Sequence, residues 1–234
     1  APGTVYNTLS DGDLWPSAWS DDDALYAANG DGIGFAFESG GEWSDIVVNK
    51  ITGSPRDGDV QGERLAAGDE IGRVWSDPDK YNRKPTGIVS VGGDLYLAVQ
   101  DLNKDEESGH IFNEAPAATI YKSTDKGRTW TAGPDAPMFD NHRFTTVMFL
   151  DYGKDGADNV FDDYVYAYGM DIRGGKASAS SASREATKAL RLSPSWKCII
   201  RTRPSGGRNA GQRNTNQPTR REGAWAWGIL TDWI

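Results

Sequence analysis

The chain has 234 residues, 37% hydrophobic, 11% aromatic and 25% charged, with 28 glycines and nine tryptophans, the size of one large domain and the loop-rich, aromatic-rich composition of many all-β proteins. No apolar run nears the roughly 18 residues of a membrane helix, and a lone cysteine, Cys198, excludes an intrachain disulfide. The net charge of -9 is split: residues 1–172 carry 31 acidic against 13 basic side chains and residues 173–234 carry 3 against 12, so the acidic body disfavours nucleic acid and anionic membranes as partners.

In chain order, Ala1-Pro2-Gly3 opens without methionine, as after removal of a signal peptide or in an excised fragment, and an extracellular setting is expected. Asp11-Gly12-Asp13 is turn chemistry. Asp23-Ala-Leu-Tyr-Ala-Ala-Asn-Gly-Asp31 reads as a buried inner strand ending in a carboxylate, and Asp45 to Ile51 as a second strand. Asn82, Arg83 and Lys84 form a compact polar group before Pro85. Gly93 to Asp101 then repeats the first strand, and Asp163 to Asp171 repeats it again. In each, an aliphatic residue precedes a tyrosine and an aspartate follows five residues later; Tyr26, Tyr96 and Tyr166 lie 70 and 70 residues apart. Ala118 to Lys122 is the counterpart of the Asp45 strand.

Ser123-Thr-Asp125-Lys-Gly127-Arg-Thr129-Trp130 resembles the Asp-box turn of sialidase-like β-propeller blades. Asp125 is expected to hold the turn by accepting amide hydrogen bonds, Gly127 to supply a positive φ, and Trp130 to pack beneath the blade.

Repeated strands with a terminal carboxylate predict an all-β β-propeller. Units of 70 residues exceed the roughly 40–50 of a typical blade, so either a unit holds more than one blade or the ring is incomplete in this chain. After Asp171 the pattern fails. The expected division is propeller blades over 1–172 and an irregular, low-complexity basic tail over 173–234, with Ala224 to Ile234 as one strand candidate. A shifted reading frame or mis-spliced gene gives such a break, and a natural basic linker is the alternative.

The stretch Asp11 to Trp19, with Asp21-Asp22-Asp23 and Asn29-Gly30-Asp31-Gly32, resembles the opening of a microbial and fungal β-propeller family of unknown function that includes endo-D-arabinanases. The resemblance runs through Asn82 to Gly87, Tyr96 to Asn103 and the Asp-box to Asp162–Gly169, about residues 7–171. It implies a five-bladed, glycosidase-like propeller with catalytic carboxylates near the N-terminus, which fall on Asp13 and Asp31.

Glycoside hydrolysis needs two carboxyl groups, one to protonate the leaving oxygen and one to act as nucleophile or activate water. Asp31 is assigned the second role and Asp13 the first; capping of the Gly-rich turns is the alternative for both. Asp101 and Asp171 end equivalent strands and are expected to bind sugar hydroxyls. Trp15 is a candidate stacking platform, whereas Trp19 is assigned to the core. Asn82, Arg83 and Lys84 are candidate substrate contacts. His110 and His142, with Arg83, Lys84 or Arg143, would instead make a polysaccharide lyase. No metal or cofactor site is assigned, although Asp151, Asp155, Asp158 and Asn159 would suit structural calcium. The leading expectation is a secreted, monomeric glycoside hydrolase whose partner is a furanose or acidic polysaccharide. The alternatives are a non-catalytic glycan-binding propeller and a truncated, inactive homologue.

Overall fold

A computed structural model describes residues 9–73, 79–104, 114–133, 137–160, 164–171 and 186–191, the last segment as backbone alone. Among them the chain is all-β, with three antiparallel sheets, two short 3₁₀ turns and no α-helix; none of its helices is long and apolar enough to cross a membrane.

The first sheet holds β1 (Asp11–Asp13), β2 (Ser17–Trp19), β3 (Leu25–Gly34), β4 (Ser44–Thr52) and β5 (Gln61–Ala67). β1 and β2 both pair with β3, one at each end, and β4 and β5 follow on its other side. The second sheet runs β6 (Tyr81–Val91), β7 (Asp94–Asn103), β8 (Ala118–Ser123) and β9 (Thr131–Ala132). The third runs β10 (Arg143–Phe149), β11 (Tyr164–Asp171) and β12 (Ala186–Arg191). Each 70-residue unit is therefore one sheet, and its tyrosine sits in the central strand, β3, β7 or β11, rather than in an inner edge strand. The stretch expected to be an irregular tail contributes β12, which pairs with β11 from Tyr164↔Arg191 to Gly169↔Ala186. The rest of 173–234, including Ala224 to Ile234, lies outside the described residues.

The sheets stack face to face through the alternation of side chains along each strand. Leu95, Leu97 and Val99 of β7 join Tyr26, Ala28, Ile46 and Val48 in one core between the first and second sheets. Tyr96 and Ala98 point the other way, into a second core with Val147, Val165 and Ala167 of the third sheet. β7 is thus apolar on both faces, which is why it reads as an unbroken hydrophobic run. In β2 the pleat turns Ala18 inward and leaves Trp19 48% exposed, under the ammonium of Lys154, so Trp19 is not a core residue.

The repeated tyrosine has a repeated physical reason. The Tyr26 hydroxyl donates to Asp22 at 2.9 Å, and Lys50 Nζ contacts the same carboxylate at 2.9 Å while lying over the Tyr26 ring. Burial works against the Asp22 anion, but hydrogen bonds from Lys50 and Tyr26 outweigh it and hold its carboxyl below the usual range. In the next sheet Lys122 contacts Asp94 at 2.8 Å and lies over the Tyr96 ring. Burial, reinforced by Asp94, pushes the Tyr96 phenol far up.

The Ser123–Trp130 turn is held as expected. Asp125 accepts from the amides of Arg128 and Thr129 and from the Ser123 and Thr129 hydroxyls at 2.6–3.1 Å. Gly127 has φ +86, and Trp130 packs against the first core.

At the rim formed by the β2–β3 and β6–β7 turns, the sheets are tied together by polar groups. Ser90 Oγ donates to Asp155 at 2.6 Å and lies 2.9 Å from Ser20 Oγ. Asp155 also accepts from the Gly93 amide at 3.1 Å, and Lys126 Nζ reaches Ser20, Asp21 and the Gly93 carbonyl. Asp155, on the 3₁₀ turn Lys154–Gly156, is thus a tether between sheets. The Asp151 carboxylate caps the Gly153 amide, and no group of three or more metal-ligating side chains comes together among the described residues.

Candidate functional site

The opposite rim gathers the strand-end residues. Antiparallel pairing puts the C-terminal ends of β3, β7 and β11 beside the N-terminal ends of β4, β6 and β10, so Asp31, Asp101 and Asp171 end up on one side of three successive sheets. β1 completes this rim, with Asp13 opposite Gly30.

Across that pairing the register slips: Asp13 faces Gly30 but Asp11 faces Gly34, so β3 bulges through the segment holding Asp31. Bulges re-aim side chains. Asp31 has φ +40, and Leu14 and Trp15, just after β1, have φ +72 and +49. Three non-glycine residues in the left-handed region within one small neighbourhood store strain of about 1–3 kcal/mol each, the pattern of functional sites.

What holds the bulge is a buried amide pair that the sequence reading missed. Asn49 Nδ2 donates to Asn29 Oδ1 at 2.9 Å, and Asn29 Nδ2 donates to the Asp11 and Gly30 carbonyls at 3.3 Å each. Asn49 Oδ1 accepts from the Phe35 amide at 3.0 Å. Two asparagines in otherwise apolar strands were the available signal.

Lys84 is the centre of the site. Only 3% of the residue is exposed, and its ammonium enters from the second sheet to contact Asp31 Oδ2 at 2.5 Å and Asp13 Oδ1 at 3.5 Å. Both carboxylates remain partly open to solvent, Asp13 more so than Asp31. Asp31 Oδ1 is enclosed without a hydrogen-bond partner among the described residues, an acceptor position that calls for a ligand group or water. Gly30 makes the arrangement possible: a Cβ there would run into Asp13 Oδ1 and sit 3.0 Å from Lys84 Cδ and Nζ.

The remaining predicted residues separate. Asn82, Arg83 and Lys84 lie in β6, with the ladder slipping between Pro85 and Gly87. Arg83 is tied into the fold: its Nε and NH2 grip both oxygens of Asp45 at 2.9 and 2.8 Å, while NH1 contacts Asp69 at 2.8 Å and the Gly72 carbonyl at 2.9 Å. Burial pulls this guanidinium down, and Asp45 and Asp69 more than offset it. Trp15 is half-buried, donating from Nε1 to the Gly12 carbonyl at 3.0 Å and standing edge-on to Phe35. Asp101 is buried beside Tyr121, whose phenol is pushed up by burial and by the Asp101 charge. The backbone of Asp171 faces Arg143, and its side chain lies outside the described residues. His142 is taken up by Glu114 at 2.6 Å, and His110 lies outside the described residues.

Between β4 and β6 opens a cleft of about 430 Å³. Asn82, Arg83 and Asp101 line it, together with Trp43, Ser44 and Tyr81, which the sequence reading did not single out.

No family model matches the chain, and no curated protein matches it. Among solved structures it is similar to the Hadza microbial sialidase Hz136, with a TM-score of 0.40 and 17% identity over 76% of this chain and 30% of that one. It is also similar to a protein described as a putative hydrolase from Bacteroides ovatus ATCC 8483, with a TM-score of 0.48 and 8% identity over 84% of this chain and 55% of that one. The chain spans less than two thirds of the length of either.

Proposed function

We propose that this chain belongs to a β-propeller glycoside hydrolase acting on an extracellular polysaccharide, with Asp13 and Asp31 as its two carboxyl groups. The observation that carries the reading is their convergence on one buried ammonium at a strained, open rim. Their meeting at a single Nζ suits the close pair of a retaining enzyme, with carboxyl groups about 5–5.5 Å apart, better than the wider inverting pair, and the reaction is read as retaining. Asp31, fixed by Lys84, attacks the anomeric carbon as Asp13 gives its proton to the leaving oxygen. Water then adds to the glycosyl ester, Asp13 takes its proton, and the Asp31 carboxylate is released. Lys84 positions both groups.

Wild type, Asp13→Asn and Asp31→Asn would be assayed for reducing ends released from arabinan and from other neutral and acidic polysaccharides, with folding checked by circular dichroism. Loss of about 10²–10⁴-fold in each variant is expected; full activity in both overturns the assignment. Lys84 also satisfies the two carboxylates electrostatically, and this favours a second reading, a glycan-binding protein without turnover. Saturable binding with no product over long incubation selects it.

A further inference from the structure

The composition of the cleft between β4 and β6 bears on what it could hold. Three of its lining residues are acidic, Asp45, Asp69 and Asp101, and three are basic, Arg73, Arg83 and Lys104. Most of this charge is cancelled within the wall: Arg83 contacts Asp45 and Asp69 at 2.8 Å, and Arg73 contacts Asp69 at 2.8 Å. A wall of this kind offers donors and acceptors without a net field. An acidic polymer would gain little there and would meet the surplus negative charge of the surrounding body.

One apolar feature stands in this polar wall. Trp43, immediately before β4, is 59% exposed, on a cleft that also presents Tyr81 and Asn82. An indole of this size carries a large apolar face that gains from being covered by a flat, partly apolar ligand, while nearby amide and hydroxyl groups fix its orientation.

The cleft is built on elements adjacent to those of the candidate site. Ser44 pairs with Gly32 in the register that places Ile46 opposite Gly30, so its β4 wall is the strand next to the one holding Asp31. Its β6 wall includes Arg83, the neighbour of Lys84. The cleft and the carboxylates therefore belong to neighbouring strands of the same two sheets.

We infer that this cleft is a subsite for a neutral, hydroxyl-rich glycan, with Trp43 as its stacking platform and Asn82 as a polar contact. The inference rests on the proposed carbohydrate function and narrows its substrate class from furanose or acidic polysaccharides to neutral ones.

The test is calorimetric binding of neutral pentose and hexose oligosaccharides, and of uronate-bearing ones of equal length, to the full chain in the Asp13→Asn background, where the probe is not consumed. Trp43→Ala is expected to weaken neutral-oligosaccharide binding about tenfold or more, and Asn82→Ala to weaken it less. Trp19→Ala, which removes a similarly exposed indole from another strand, should leave binding unchanged. Unaltered thermal unfolding of the Trp43 variant separates a lost contact from a damaged fold. Equal binding by Trp43→Ala, tighter binding of the uronate-bearing probe, or no binding of any probe overturns the inference. If binding depends on Trp43 while the wild type releases no product, the hydrolase reading fails alone and the subsite stands.

Discussion

Gly30 shows how one absent methyl group supports a reaction site. The atoms nearest a Cβ at this position belong to the flexible side chains of Asp13 and Lys84 rather than to backbone, so Gly30→Ala should cost little stability. Moving those side chains is nevertheless what the chemistry cannot tolerate, because displacement of about 1 Å is worth around 10²-fold in rate. The expected outcome for Gly30→Ala is a nearly unchanged melting temperature with activity reduced by about two orders of magnitude, read from parallel thermal and hydrolysis assays. At this scale the sequence was partly legible. Asp13 and Asp31 could be singled out because carboxylates beside glycines at a strand end are visible in one dimension. Lys84 could not be placed, since a lysine between arginine and proline reads as solvated until another sheet covers it. Trp19 was misread for a related reason: the pleat, not hydrophobicity, decides whether Ala18 or Trp19 faces inward.

Among the elements, the Ser123–Trp130 turn is the one whose chemistry was most legible beforehand, because the hydrogen bonds to Asp125 are all local. Asp125 is pulled two ways: burial disfavours its anion, but the Thr129 hydroxyl and amide, Ser123 and Arg128 outweigh that and lower its titration point. A carboxyl lowered on folding contributes stability that is complete above the ordinary value near pH 4 and is lost as pH falls through the folded value. Asp125→Ala should therefore destabilise the protein by about 1–2 kcal/mol at neutral pH, the charged hydrogen bonds being discounted for exposure. The difference from wild type should shrink in unfolding measurements as pH falls below the ordinary carboxyl value and through the lowered folded one; a difference independent of pH would show that the carboxylate charge is not what holds the turn. Long-range elements were harder. The Asn29–Asn49 pair joins residues 20 apart in sequence, the Arg83–Asp45 contact in the cleft wall joins residues 38 apart, and β12 lies in a stretch where only Ala224 to Ile234 was a strand candidate.

For the whole molecule, the second sheet is the part on which both cores depend. Leu97 is fully buried in the first core and its neighbour Ala98 in the second. Leu97→Ala should destabilise by about 2–5 kcal/mol, and near-ultraviolet circular dichroism should report aromatic side chains of both cores melting together. Survival of the second-core signal after the first has melted would contradict this coupling. The 70-residue repeat foretold three equivalent units, but not that each would be a single sheet, because repeat length does not separate strand from loop. One rim is stitched by Ser20, Ser90, Asp155 and Lys126, whereas the other carries the carboxylates. The first two sheets are accordingly bound at both edges, like facing pages clipped at the spine and again at the far margin, where Arg83 grips Asp45 and Asp69. Because Asp13 and Asp31 stand on one page and Lys84 on the next, the Arg83 clip and the distant stitching together set how firmly the reactive groups are held.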